Sequence, residues 1–147
     1  MTICPLWLSV QPFGYRNGNS LKLTVRFDNT TIFDNILTDG LIKIQHEFEE
    51  RDNAQHTLEI ELSGKTQNDT VVDADGQIIK ERSIEITTLN IGDIEIGQLF
   101  FDSSKYYHDF NGTADPIVDK FAGIIGCNGT VKFNFNSPVY LWLLENM

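Results

Sequence analysis

Oxygen-bearing side chains gather most densely at Asn68, Asp69, Asp73 and Asp75, in the run N-D-T-V-V-D-A-D-G-Q. Carboxylates spaced this way before a glycine are chemistry for a hard cation, calcium above all. An EF-hand loop needs oxygen ligands at its first, third, fifth and twelfth positions, with glycine at the sixth. With Gly76 at the sixth position, Asp73 and Asp75 take the third and fifth, but Val71 takes the first and Arg82 the twelfth. Valine cannot ligate, and arginine brings a positive charge where a bidentate carboxylate is required. The same residues suit a hairpin better. Val71-Val72 and Ile78-Ile79 flank the acidic run almost symmetrically, and Gly76 offers a positive-φ position for the turn. The sequence predicts a turn here, with a non-EF calcium site on Asn68, Asp69, Asp73 and Asp75 as the alternative.

Other reactive groups are scattered. His46, His56 and His108 are not three or four residues apart, so no zincin-type site is spelled out. No serine lies in a G-x-S-x-G elbow, and neither G-x-x-x-x-G-K-[ST] nor G-x-G-x-x-G occurs. Glu59 and Glu61 share one face of a strand, about 7 Å apart by strand geometry. A carboxylate pair of this kind can hydrolyse a glycosidic bond, but alternating glutamates on a wet strand are also ordinary solvation. Cys4 and Cys127 lie in no C-x-x-C pair, which gives no zinc signature. Two buried free thiols are expected, with one disulfide as the alternative.

The 147 residues suit one domain over 1–147, and 41% hydrophobic residues are enough for a core. The formal net charge of −10 opposes binding to phosphate backbones and anionic lipid surfaces, so neither nucleic acid nor membrane is an expected partner. The N-terminal stretch lacks a basic region before Pro5 and reads as no secretory signal. No apolar run approaches the roughly 20 residues that span a bilayer. The N-x-T sequons at Asn29, Asn68, Asn111 and Asn128 therefore carry no weight as glycosylation sites.

The elements that must position these residues alternate with period two. Leu21, Leu23, Val25 and Phe27 share one face of a strand, and Leu58, Ile60 and Leu62 share one face of another. Ile84 and Ile86 begin a third, whose apolar phase slips to Leu89 and Ile91 after Thr87-Thr88. A slip of one residue predicts a β-bulge or a strand break. Gly92-Asp93 then supplies a turn, and Val131, Phe133 and Phe135 mark the last clear strand. Asp28-Asn29, Asp39-Gly40, Ser63-Gly64, Asn111-Gly112 and Asn128-Gly129 punctuate the chain. Asp115-Pro116 reads as the cap and first position of one short helical turn through Phe121, or as a loop. The whole predicts an all-β chain, an antiparallel β-sandwich of jelly-roll type.

Two apolar features stand outside that pattern. Phe100-Phe101, Tyr106-Tyr107 and Phe110 crowd together among polar residues, where aromatics either stack on sugars or complete the core. Tyr140-Leu141-Trp142-Leu143-Leu144 follows Val139 with no polar face, although a sandwich strand usually has one. Read as a terminal strand, it is covered by its own chain, with Pro5 to Val10 as a pairing partner, or it docks on another subunit through Trp7, Tyr140, Leu141, Trp142, Leu143 and Leu144.

The stretch H-T-L-E-I-E-L-S-G-K-T-Q-N-D-T-V-V-D-A-D-G-Q-I-I-K, then S-I-E-I-T-T-L-N-I-G-D-I-E-I, resembles small structural proteins of tailed bacteriophages, especially marine and cyanobacterial ones. The ending G-C-N-G-T-V-K-F-N-F-N-S-P-V-Y-L-W-L-L-E-N-M resembles the same group. The resemblance implies a non-enzymatic virion component of capsid, neck, tail or baseplate, assembled in the host cytoplasm. Its partners would be other virion proteins and copies of itself, and it would need no cofactor. The alternation H-T-L-E-I-E-L, loop, S-I-E-I is also similar to calcium-dependent xylan-binding modules, which are jelly rolls with a loop calcium between acidic residues. That similarity implies a second expectation: a carbohydrate-binding module holding a host-surface glycan. Its sugar contacts would be Tyr106, Tyr107 and Trp142, and an optional calcium would lie at Asp69, Asp73 and Asp75.

Overall fold

In the computed structural model the described residues are 2–13, 21–37, 40–64, 70–72, 74–75, 78–81, 83–109, 115–126 and 128–146. Alternation becomes burial along the central strands. In β13 (Gly129–Ser137), Val131, Phe133, Phe135 and Ser137 point inward while Lys132, Asn134 and Asn136 face water. In β5 (Ala54–Ser63), His56, Leu58, Ile60 and Leu62 point inward. Two antiparallel sheets form from such strands and close on a shared core, so the chain is an all-β, jelly-roll-like sandwich.

The larger sheet runs β11 (Ile117–Lys120), β10 (Lys105–His108), β13, β5, β2 (Lys22–Phe27) and β3 (Thr30–Ile36). The other runs β12 (Ile124–Ile125), β8 (Ser83–Ile91), β1 (Thr2–Phe13) and β4 (Ile42–Glu50), with β9 (Ile94–Glu95) hairpinned onto β8. Thr87 is the extra residue where the apolar phase slips. Ser9 pairs with Thr88 and Val10 with Ile86, and the Thr87 hydroxyl donates to the Ser9 carbonyl at 3.2 Å. The bulge lets both halves of β8 bury their isoleucines and leucine in one core.

Rings fill the interior. At one end Phe27, Phe48 and Phe135 surround the His56 imidazole, with centroids about 5 Å from it. At the other, Phe100, Phe121 and Phe133 meet edge to face. Phe133 and Phe135 stack at 5.6 Å and join the two groups. His56 is fully committed: Nδ1 lies 2.7 Å from Asp28 Oδ2 and Nε2 lies 3.2 Å from Ser137 Oγ.

The C-terminal apolar run is a helix, not a strand. Helix α2 (Val139–Asn146) starts where Pro138, which has no N–H to offer a ladder, ends β13. Its first N–H groups find other acceptors. Val139 N–H donates to the Glu50 carboxylate at 3.0 Å, and the Leu141 and Trp142 N–H groups donate to the Pro138 carbonyl. Val139 and Trp142, three residues apart, face the core, with Trp142 edge-on to Phe133 at 5.5 Å. Pro5 to Val10 does not pair with this segment; β1 lies between β4 and β8.

One smaller departure shows the pull of tertiary pairing on a weak local signal: Asp115 to Phe121 holds strand β11 rather than a helical turn, because Ile117 to Lys120 completes a ladder with β10. Gln98–Ser103 forms a short helix, α1, with Phe100 buried and Phe101 half-buried. Among the described residues, no helix is long and apolar enough to cross a membrane.

Candidate functional site

The edge of the larger sheet, at β10 and β11, sets an exposed ring beside apolar and polar groups. Gly129 explains how β10 is held there. A Cβ on Gly129 would stand 2.3 Å from the Tyr107 carbonyl and 2.8 Å from His108 Cβ, so only glycine lets β13 approach β10 so closely. On the inner face, Tyr106 stacks on His108 at 4.4 Å, and His108 Nε2 lies 2.8 Å from Asp119 Oδ2, which ties β10 to β11.

With that strand fixed, register decides the outer face. Val118, Tyr107, Thr130 and Glu61 stand abreast across β11, β10, β13 and β5. The next row holds Lys120, Lys105, Lys132 and Glu59. The Lys132 ammonium sits over the Tyr107 ring, 5.2 Å from its centroid. Tyr107 also lines a groove of about 520 Å³. Pro116, Ile117 and Val118 give the groove an apolar wall, and Glu61, Ser63, Asp109 and Asn128 place polar groups around it. An exposed ring, an apolar wall and convergent hydrogen-bonding groups can hold a sugar by its faces and hydroxyls.

The residues singled out from the sequence are dispersed. Tyr107 is 37% exposed and stands in the groove, whereas Tyr106 is 7% exposed and its ring lies in the core. Adjacent strand residues face opposite sides, so only one of the pair can face water. Trp142 is 8% exposed on the inner face of α2 and is available neither to a sugar nor to a partner. Of the remaining docking candidates, Tyr140, Leu141 and Leu144 are exposed on α2, Leu143 is half-buried, and Trp7 is exposed on β1. Phe110 and Cys127 lie outside the described residues; Cys4 is buried and free.

The acidic run is a hairpin, as its symmetry predicts: β6 (Thr70–Val72) pairs with β7 (Ile78–Glu81), and Ala74-Asp75 is in the turn. Asp75 is exposed, while Asn68, Asp69 and Asp73 lie outside the described residues. Among the described residues, no three His, Cys, Asp or Glu side chains gather to hold a metal.

Glu59 and Glu61 do share a face, but Arg26 occupies the space a substrate would need. Its guanidinium reaches Glu61 Oε1 at 3.1 Å and Glu59 Oε2 at 3.5 Å. Burial works against the charged guanidinium, but the hydrogen bonds and charges of Glu61 and Glu59 outweigh it and hold Arg26 charged above its ordinary range. Asp28, His56 and Ser137 line up as a hydrolytic triad would. Yet Ser137 is buried, and its hydroxyl makes a short hydrogen bond to the Arg51 carbonyl, so this hydroxyl does not face solvent.

Comparison with known proteins supports this picture at the level of fold. No protein-family model matches the chain, and no curated protein sequence matches it. Two solved structures do. The carbohydrate-binding module vCBM60 in complex with galactobiose superposes with a TM-score of 0.50 at 10% identity, over 88% of this chain and 98% of that one. The selenomethionine form of vCBM60, reported with a circular permutation linking two families of calcium-dependent carbohydrate-binding modules, gives 0.51 at 8% identity, over 88% and 89%. The fold defined by these sheets is thus one that carbohydrate-binding modules use. The likeness is one of fold, and it lends no support to the virion reading.

Proposed function

We propose that this chain is a non-catalytic carbohydrate-binding module whose site is the groove beside Tyr107. The observation that carries the reading is the exposed Tyr107 ring at the mouth of an apolar-walled groove ringed by polar groups. A sugar ring packs its C–H face on such a surface, while Asn128, Ser63 and Asp109 supply polar atoms for its hydroxyls. The fold supports the same reading, because vCBM60 is seen with a galactobiose. The buried Ser137 and the Arg26-filled space between Glu59 and Glu61 argue for binding without turnover.

Isothermal titration against a panel of soluble polysaccharides and their oligomers tests the proposal. At least one is expected to bind, and Tyr107→Ala is expected to weaken it by roughly tenfold, the scale of one lost stacking ring. Binding unchanged in that variant would move the site elsewhere. Affinity is expected to be equal in calcium and in chelator, since every group named here binds directly. Loss of binding in chelator would shift the site to the hairpin that carries Asp75.

A further inference from the structure

Resting on that reading, we infer that the glycan is acidic, with its carboxylate or sulfate groups held by Lys105, Lys120 and Lys132 beside Tyr107. Lys105 is directly opposite Lys120 on one side and Lys132 on the other, so three ammonium groups stand in one cross-strand row. Strand spacing puts about 10 Å between the outer two backbones. Like charges directly opposite each other destabilise a sheet, and this chain has only 11 basic residues against 21 acidic ones.

Local carboxylates do little to relieve the row. Lys120 has Asp102 at 3.7 Å, beyond hydrogen-bond reach. Among the described residues, Lys105 and Lys132 have no ion-pair partner; Lys132 lies over the Tyr107 ring instead. Glu59 follows Lys132 in the row, where it shares the Arg26 guanidinium with Glu61. All three lysines are exposed. The row is continuous with the groove through Tyr107, so an acidic chain can rest a ring against Tyr107 and Val118 and place its charges over the lysines. The chain's net charge of −10 works against a polyanion spread over its whole surface, whereas a glycan whose charges meet only this edge meets a local positive field.

Affinity electrophoresis and titration with four probes test this: polygalacturonate, dextran sulfate, neutral galactan and duplex DNA. The expected result is binding of at least one acidic polysaccharide in preference to galactan, weakened by raising salt from about 0.05 M to about 0.5 M. Preference for polygalacturonate assigns carboxylate as the recognised group, and preference for dextran sulfate assigns sulfate. Each Lys→Gln change should weaken that binding about threefold, and K105Q/K120Q/K132Q together at least tenfold. These side chains are exposed, so the fold should persist, which circular dichroism confirms. Galactan bound as tightly as the acidic probes, with the triple variant unaffected, would overturn the acidic ligand and leave the module reading standing. DNA bound as tightly as polysaccharide would also overturn it, as non-specific attraction. No polysaccharide bound at all would remove both.

Discussion

Trp142 joins the last apolar segment to the core, and Trp142→Ala measures how much that joint contributes. Helix α2 has eight residues, below the roughly 12 to 15 at which an isolated helix becomes even marginal. It persists because Val139 and Trp142 are buried and Glu50 caps its start. Replacing a buried Trp by Ala costs about 3 to 5 kcal/mol. Here the indole also meets Phe133 edge-on at 5.5 Å and Phe135 at 6.4 Å, which places the loss near the upper part of that range, about 4 kcal/mol. Against a typical stability of roughly 5 to 15 kcal/mol, that is a large share. With a urea slope of about 2 kcal/mol per molar, the unfolding midpoint should fall by about 2 M. Leu144→Ala, at a site 69% exposed, should shift stability by no more than about 0.5 kcal/mol. Equilibrium urea titrations of both variants decide the matter. A Trp142→Ala loss under about 1 kcal/mol would refute the packing argument. So would a variant that keeps its stability but loses glycan binding, since Trp142 would then be a surface contact.

Three further outcomes follow from the same coordinates. Gly129→Ala drives a methyl into the Tyr107 carbonyl, so a drop of several kcal/mol in thermal or urea stability is expected, together with lost sugar binding as β10 shifts; a neutral substitution would show that β10 is not held by this approach. Burial, and then the charge of Glu50, push the Cys4 thiol from 9.0 up to about 11. A raised folded value contributes stability that is complete below about pH 9 and fades as pH climbs towards 11, and iodoacetamide at pH about 8 should label Cys4 only after unfolding, with fast labelling of the folded chain as the contrary result. Lys105→Gln relieves a row of like charges, so the melting temperature should hold or rise slightly even as acidic-glycan binding weakens; a fall in melting temperature would mean the row is stabilised by contacts other than those named.

Much of the architecture was legible because a strand's period of two leaves a direct trace in polarity. Leu58, Ile60 and Leu62, or Val131, Phe133 and Phe135, could belong to no other element, and the slip at Thr87 announced its bulge. The turn at Asp75 was readable for the same reason, since flanking valines and isoleucines imply two paired strands. The similarity to xylan-binding modules rested on such alternation, which many sandwiches share, and so it pointed at a fold more firmly than at a role.

The sequence by itself determined that this chain would be a β-sandwich with a net acidic charge, because composition and alternation are local properties. Only the tertiary structure decided which of Tyr106 and Tyr107 faces water, since strand phase depends on how β10 meets β13 at Gly129. It alone turned the run after Pro138 into a helix, because six apolar residues have no period and take the form their neighbours can cover. And it alone brought Lys105, Lys120 and Lys132 into one row, because residues far apart in the chain become neighbours only through antiparallel register.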